Sequence, residues 1–235
     1  MTQRFVERGD KVFVVGRDHR DIVEYVQESP NVFGHAADVG NPKEVAEVFS
    51  KINEAYEGEL DILINCAAQS GGYNSFNRLK PETMDSIIRT NLVGTSLCTK
   101  HAFDMMSNQD TGGAIFNLLG NGSNGFASPN YAVYGSTKAA VQQLTKSLQK
   151  EWIDTDVDLH LLSPGLMSTN LLLENLDKNV FKILQGFCSS PEVVAMHLVP
   201  RIRSAYYCAD GKPVIKFQTP LKIATQLVLN AFKRK

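Results

Sequence analysis

Apolar residues in this chain fall into short unbroken runs, separated by longer stretches in which they recur every third or fourth position. The runs are KVFVVGR (residues 11–17), NVFGHAADV (31–39), DILINCAA (61–68), GAIFNLLG (113–120) and VDLHLLSPG (157–165), and each is predicted to be a β-strand. The stretches DIVEYVQE, PKEVAEVFSKINEAYEG, PETMDSIIRTNLVGTSLCTKHAFDMM and YGSTKAAVQQLTKSLQKEW carry the helical period. Strands alternating with helices of this length predict right-handed βαβ units, and hence an α/β fold with a doubly wound parallel sheet covered on both faces. No internal repeat, low-complexity segment or linker divides the chain, so residues 1–235 are expected to form one domain.

Composition narrows the function classes. With 24 Lys+Arg against 25 Asp+Glu, the formal charge of -1 gives no basic surface for nucleic acid. No apolar run approaches the roughly 18 residues of a membrane span, and MTQRFVERGDK has the character of neither a signal nor a transit peptide. The cysteines Cys66, Cys98, Cys188 and Cys208 show no C-x-x-C spacing and the five histidines are scattered, so these residues are read as structural and no metal is expected.

Residues 120–125, GNGSNG, spell G-x-G-x-x-G. A dinucleotide-binding turn follows the first strand, opens a helix at once, and is followed about 20 residues later by an acid for the ribose. Here the motif follows the fourth run, leads into FASPNYAV, and has KAAVQQL where the acid should be. It is therefore not that turn. Beyond it lies Tyr134-Gly-Ser-Thr-Lys138 at the head of a helix, with both side chains on one face. A lysine ammonium near a phenol favours the phenolate and pulls a pKa of about 10 toward neutrality, fitting the tyrosine for proton transfer. Alone, the same spacing also describes a solvated surface pair.

Asn65-Cys-Ala-Ala68 after the third strand, Asn91 in the long helical stretch, Tyr134 and Lys138, and Ser163-Pro-Gly165 with Thr169 occur in an order that resembles the short-chain dehydrogenase/reductase family. The resemblance covers nearly the whole chain and implies a Rossmann-like fold. It implies that Tyr134 is the acid/base, that Lys138 lowers its pKa and holds the nicotinamide ribose, and that Asn91 keeps a water relay in place. Asn65, Ala67, Pro164, Gly165 and Thr169 would line the cofactor, and Asp38-Val39 would meet the adenine. The family's carbonyl-polarising serine stands thirteen residues before the tyrosine, where this chain has Asn121; Ser123, eleven before, is expected to take that role. Gly-x-Gly-Ser with Tyr-Gly-Ser-Thr-Lys, together with NLVGTSLCTK, SPGLMSTNLLL, LVPRIR and FQTPLKI, is similar to the chlorophyll b reductase branch.

That branch implies reduction of the 7-formyl group of chlorophyll b or chlorophyllide b to 7-hydroxymethyl, in chlorophyll breakdown. A generic carbonyl or 3-oxoacyl reductase and a non-catalytic pigment-binding or partner subunit are the alternatives. Arg17 after the first run favours NADPH over NADH, because Arg accepts a 2'-phosphate, although Asp18 beside it would repel one. Residues 170–220, with Leu171, Leu172, Leu173, Phe181, Phe187, Tyr206, Tyr207 and Phe217, are expected to form either a wide apolar cleft for a macrocycle or core. The resemblance further implies a chloroplast location with peripheral thylakoid association, or the cytoplasm in a bacterium. It also implies a homo- or hetero-oligomer with a related reductase, paired through residues 91–106 and 134–152. One departure stands against it. RFVERGDKVFVVGR reads as the end of the family's first helix followed by its second strand, so the sheet is expected to lack its central first strand and the chain its phosphate cradle. Either Met1 is an internal start of a longer protein, or the chain binds no cofactor.

Overall fold

The computed structural model describes residues 1–173, 187–208 and 214–218. Its elements run α1 (Thr2–Val6), β1 (Val12–Gly16), α2 (His19–Glu28), β2 (Val32–Ala36), α3 (Pro42–Ala55), β3 (Ile62–Asn65), α4 (Pro81–Ile88), α5 (Thr95–Met106), β4 (Gly113–Leu118), α6 (Ala132–Glu151), β5 (Val157–Ser163), α7 (Asn170–Leu173), α8 (Pro191–Cys208) and β6 (Val214–Lys216). Among the described residues all strand pairs are parallel, and helices cover both faces, as the alternating pattern predicts. Among the described residues, no helix is long and apolar enough to cross a membrane.

The strands form two sheets, β1-β2 and β3-β4-β5-β6. Burial follows pairing. Strand β4 is hydrogen-bonded on both sides, in the registers Ile62↔Ala114 and Gly113↔Val157, and every one of its residues is buried. Strands β1 and β3 are equally apolar, yet each position in both is only half-buried. Among the described residues each has a strand neighbour on one edge only, and a cavity of about 820 Å³ lies between them, lined by residues 12–15 from one side and 61–67 from the other. The resemblance read in the sequence implies a gap at this point in the sheet.

Two apolar clusters sandwich the sheet. On one face Phe116 and Leu118 pack with Leu162 and with Val194, Leu198, Val199 and Ile202 of α8. On the other, Ile115 and Leu159 pack with Val45, Val48 and Phe49 of α3 and Ala102 and Met106 of α5. Consecutive residues of β4 thus serve opposite faces, as the two-residue period of a strand requires.

Two elements depart from the sequence expectation. The stretch read as one helix over PETMD through DMM contains a π-helical turn at Arg89–Gly94 between α4 and α5. The extra residue per turn rotates Asn91 fully inward, where it is 0% exposed. Within residues 170–220, the core alternative prevails for α8 and its surroundings: Val194, Leu198, Val199 and Ile202 are buried against the sheet, Phe217 is buried, and Tyr206 packs on the same cluster. Leu171 is exposed and Phe187 is half-buried. Phe181 and the side chains of Leu173 and Tyr207 lie outside the described residues.

Phe116 fills the centre of this arrangement with no solvent contact. Phe116→Ala is expected to lower the unfolding free energy by about 3–5 kcal/mol, measured by urea unfolding.

Candidate active site

The loop of residues 120–125 lies against the start of α6, and its glycines are what let it approach. A Cβ at Gly120 would sit 2.3 Å from the Tyr134 hydroxyl and 3.2 Å from Lys138 Cγ. At Gly122, where φ is +89°, a Cβ would sit 2.6 Å from the Gly135 Cα. The GNGSNG motif therefore forms a floor under Tyr134 and Lys138, whose side chains meet around Gly120. This floor stands beyond the C-terminal ends of β3, β4 and β5, where Asn65 is level with Asn117 and Asn117 with Leu161.

Lys138 is 3% exposed, and its Nζ donates to the Leu118 carbonyl at 3.1 Å. Burial pulls its pKa down to about 8, against the opposing pull of Cys66. Tyr134 moves the other way: burial, and then the neighbouring Tyr131, push its hydroxyl up to about 12. This corrects the expectation that Lys138 draws Tyr134 toward neutrality. Desolvation disfavours both the phenolate and the ammonium, and the ammonium is turned to the Leu118 carbonyl. Tyr134 is consequently a protonated phenol at neutral pH, in a state to donate.

Polar residues behind the pair are paired. Asn91 accepts from Gln69 N at 2.7 Å and donates to Gln69 O at 2.9 Å and to Thr137 Oγ1 at 3.0 Å. It thereby ties the loop after β3 to the helix that carries Tyr134. Asn65 donates to Thr99 Oγ1 and Asn117 Oδ1, and Asn117 donates to Thr145 Oγ1. Gln69, Thr99, Asn117, Thr137 and Thr145 went unnoticed in the sequence. Thr137 sits one residue before Lys138, which was a signal, but Asn117 and Thr145 offered none.

Ser123 is 6% exposed; its hydroxyl donates to Gly120 O at 2.8 Å and accepts from Gly120 N at 2.9 Å. It closes the glycine turn on itself. Asn121 is exposed and accepts from Ser128 Oγ at 3.0 Å. Pro164 is buried, Gly165 has φ +72° with Gln218 directly against it, and Thr169 N donates to Met167 O. Ala67 and Cys66 line the cavity beside β3; crowding by protein atoms raises the Cys66 thiol pKa, although Lys138 opposes it.

Arg17, Asp38 and Val39 stand across that cavity, on the β1-β2 side. Arg17 is exposed at the end of β1. Asp18 beside it caps α2 by accepting from Arg20 N and also pairs with the Arg20 guanidinium at 3.1 Å. Asp38 Oδ1 accepts from Gly40 N, while Val39 packs on Gly94. The donors, the glycine floor and the turn at Pro164 fit a nicotinamide and its ribose. A glycine-rich turn opening a helix for the pyrophosphate is not among the described residues.

The pattern of the short chain dehydrogenase family matches residues 1–179. The chain is 35% identical over 258 residues to the probable chlorophyll(ide) b reductase NYC1 of Arabidopsis thaliana, covering 100% of this chain and 51% of that protein. It is 35% identical over 240 residues to the chlorophyll(ide) b reductase NOL of the same plant, covering 97% of this chain and 68% of that protein. It thus spans about half the length of the first relative. Among solved structures, serine dehydrogenase complexed with NADP+ superposes with a TM-score of 0.74 at 26% identity, over 84% of this chain and 81% of that one. A 3-ketoacyl-(acyl-carrier-protein) reductase from Brucella melitensis complexed with NADH shares the fold, at a TM-score of 0.79 and 22% identity over 92% and 88% of the two chains.

Burial of the Lys138 charge opposes folding. Its pKa is about 8 folded and 10.5 ordinarily, so between those values the unfolded chain binds more proton and stability rises with pH. Lys138→Met is expected to raise the unfolding free energy at pH 7 by up to about 3 kcal/mol. The gain should shrink as the pH approaches 10.5, as denaturation at a series of pH values would record.

Proposed function

The chain belongs to the short chain dehydrogenase family, and we propose that it is the catalytic portion of an NADPH-dependent reductase acting on the 7-formyl group of chlorophyll b or chlorophyllide b. The reading rests on one observation above the others: a protonated Tyr134 and a buried Lys138 converge on a glycine floor at the C-terminal ends of three parallel strands. Kinship with the two chlorophyll(ide) b reductases supports the choice of aldehyde.

When bound, the reduced nicotinamide supplies hydride to the formyl carbon. Tyr134 donates its proton to the carbonyl oxygen, which becomes the hydroxyl of the 7-hydroxymethyl product. Ser123 turns its hydroxyl from Gly120 to that oxygen and stabilises the charge gathering there. Asn91 fixes the loop and helix on either side. Lys138 holds the ribose, and Asn65, Ala67, Pro164, Gly165 and Thr169 line the rest of that half of the cofactor. Asp38 and Val39 meet the adenine. Arg17 meets a 2'-phosphate, and the partnership of Asp18 with Arg20 blunts the acid that would repel it. A chloroplast location, thylakoid contact and pairing with a related reductase belong to the same proposal, resting on relatives whose names are chloroplastic.

Chlorophyllide b incubated with NADPH is expected to yield the 7-hydroxymethyl pigment, followed by chromatography, and Tyr134→Phe to slow it by about 10²–10⁴-fold. A chain that binds NADPH yet leaves chlorophyllide b intact and reduces small ketones would make the generic carbonyl reductase the better reading. Reductive turnover is expected to be level through neutral pH and to fall above about 8, where Lys138 loses its proton. Gly120→Ala should abolish turnover with unchanged far-UV circular dichroism, because its Cβ takes the place of the Tyr134 hydroxyl.

A further inference from the structure

Three tyrosines stand in a row beside the glycine floor. Tyr134 has its hydroxyl against Gly120; the Tyr131 ring lies 5.9 Å from the Tyr134 ring, edge-on at 62°, and the Tyr73 ring lies 5.5 Å from that of Tyr131, tilted at 59°. Tyr131 stands at the head of α6, three residues before Tyr134, whereas Tyr73 comes from the loop after β3. The backbone on either side is shaped to bring them together. Asn130, directly before Tyr131, has φ +64°, a conformation unfavourable to a residue with a side chain and one that asparagine tolerates better than most. Gly71 and Gly72, directly before Tyr73, have φ +72° and +83°, and a Cβ at Gly71 would stand 2.5 Å from Ile87 Cδ1. The loop is pressed onto α4 there, and Asn74 Nδ2 donates to Gly71 O at 3.1 Å to hold the turn. Two separate segments thus adopt left-handed backbone to place one pair of rings next to the proton donor.

Neither outer ring is consumed by the core. Tyr73 and Tyr131 are both half-buried, so part of each ring faces solvent. Burial, and then Tyr73, hold the Tyr131 hydroxyl above the ordinary phenol range, and the ring stays uncharged at neutral pH. Phe76, 61% exposed, and Leu79 border a narrow cleft with Tyr131 and Tyr134, which extends the apolar surface outward from the row. By contrast, Val194, Leu198, Val199 and Ile202 of α8 are committed to the core and offer no wall for a ligand. A small aliphatic ketone reaching Tyr134 would leave the two outer rings uncovered. A flat conjugated ring system lies against both, in the offset or edge-to-face arrangements that aromatic groups prefer. We infer, resting on the reductase reading of this same site, that Tyr131 and Tyr73 determine its specificity: they form an aromatic wall that takes a planar conjugated macrocycle and sets the formyl group it carries at the Tyr134 hydroxyl.

The test is titration of the chain with chlorophyllide a, which has the macrocycle but no formyl group to reduce, followed by the pigment's absorbance. Tyr131→Leu and Tyr73→Leu keep an apolar side chain but remove the ring, whereas Tyr131→Phe and Tyr73→Phe keep the ring and remove only the hydroxyl. Each leucine variant is expected to raise the Kd about tenfold, and phenylalanine at the same position to restore it. In turnover of chlorophyllide b with NADPH, the leucine variants are expected to raise KM about tenfold and to spare kcat, because the wall holds the macrocycle and takes no part in proton transfer. The inference is overturned if the unaltered chain does not bind chlorophyllide a, if the leucine variants bind it as tightly as the unaltered chain, or if phenylalanine is as damaging as leucine. It is equally overturned if the loss falls in kcat alone, which would mean that Tyr131 and Tyr73 merely support Tyr134. Binding of chlorophyllide a needs neither hydride nor formyl group. A chain that binds it through these rings yet leaves chlorophyllide b unreduced would therefore refute the reductase reading and not the aromatic wall.

Discussion

Everything about the site depends on how closely the backbone of residues 120–125 lies against helix α6. Gly120 leaves room for the Tyr134 hydroxyl and the Lys138 stem, and Gly122 rests on Gly135. A side chain at either glycine would lift the loop, and with it the surface over which tyrosine and lysine converge. The contact also excludes water, and exclusion sets the proton chemistry. A phenol held near 12 and an amine held near 8 both lean toward their neutral forms, since a low-dielectric setting penalises either charge.

The second organising feature is a division in the sheet. Strand β4 shows what a fully flanked strand looks like here: six residues, all buried, serving two apolar clusters. Strands β1 and β3 have the same apolar character but face a cavity. The two parts are nonetheless held in position. Helix α8 clasps the beginnings of both strands through Arg203 and Tyr206, and near the other ends Val39 packs on Gly94 of the π turn. Residues from both sides, Arg17, Asp38 and Val39 on one and Asn65 and Ala67 on the other, therefore keep a fixed relation across the gap.

Polar side chains connect the sheet to the site. Asn65, Asn117, Thr99 and Thr145 satisfy one another between β3, β4, α5 and α6, while Asn91 grips Gln69 by both backbone groups and reaches Thr137. Such a network holds its members in one arrangement, because each unpaired buried group costs about 1–3 kcal/mol. The π turn is part of it: the added residue is what directs Asn91 inward.

The alternation of apolar runs and helical stretches was enough to give the α/β class, the parallel strands and four of the helices, because burial on one helix face or on both strand faces is imposed by local periodicity. Spacing placed Tyr134 and Lys138 on one face, and context ruled out the usual role for GNGSNG. Helix α8 escaped notice because its apolar residues were read as an undivided cleft or core, and the π turn because a helical period tolerates one extra residue. Tertiary structure alone decided the rest. Ser123 bonds Gly120, Asn117 joins Asn65 to Thr145, and α8 holds Asp10 and Asp61, far apart in the chain, through Arg203 and Tyr206. Periodicity records which side of an element is apolar, whereas a proton affinity or a hydroxyl's partner depends on atoms brought near from distant parts of the chain.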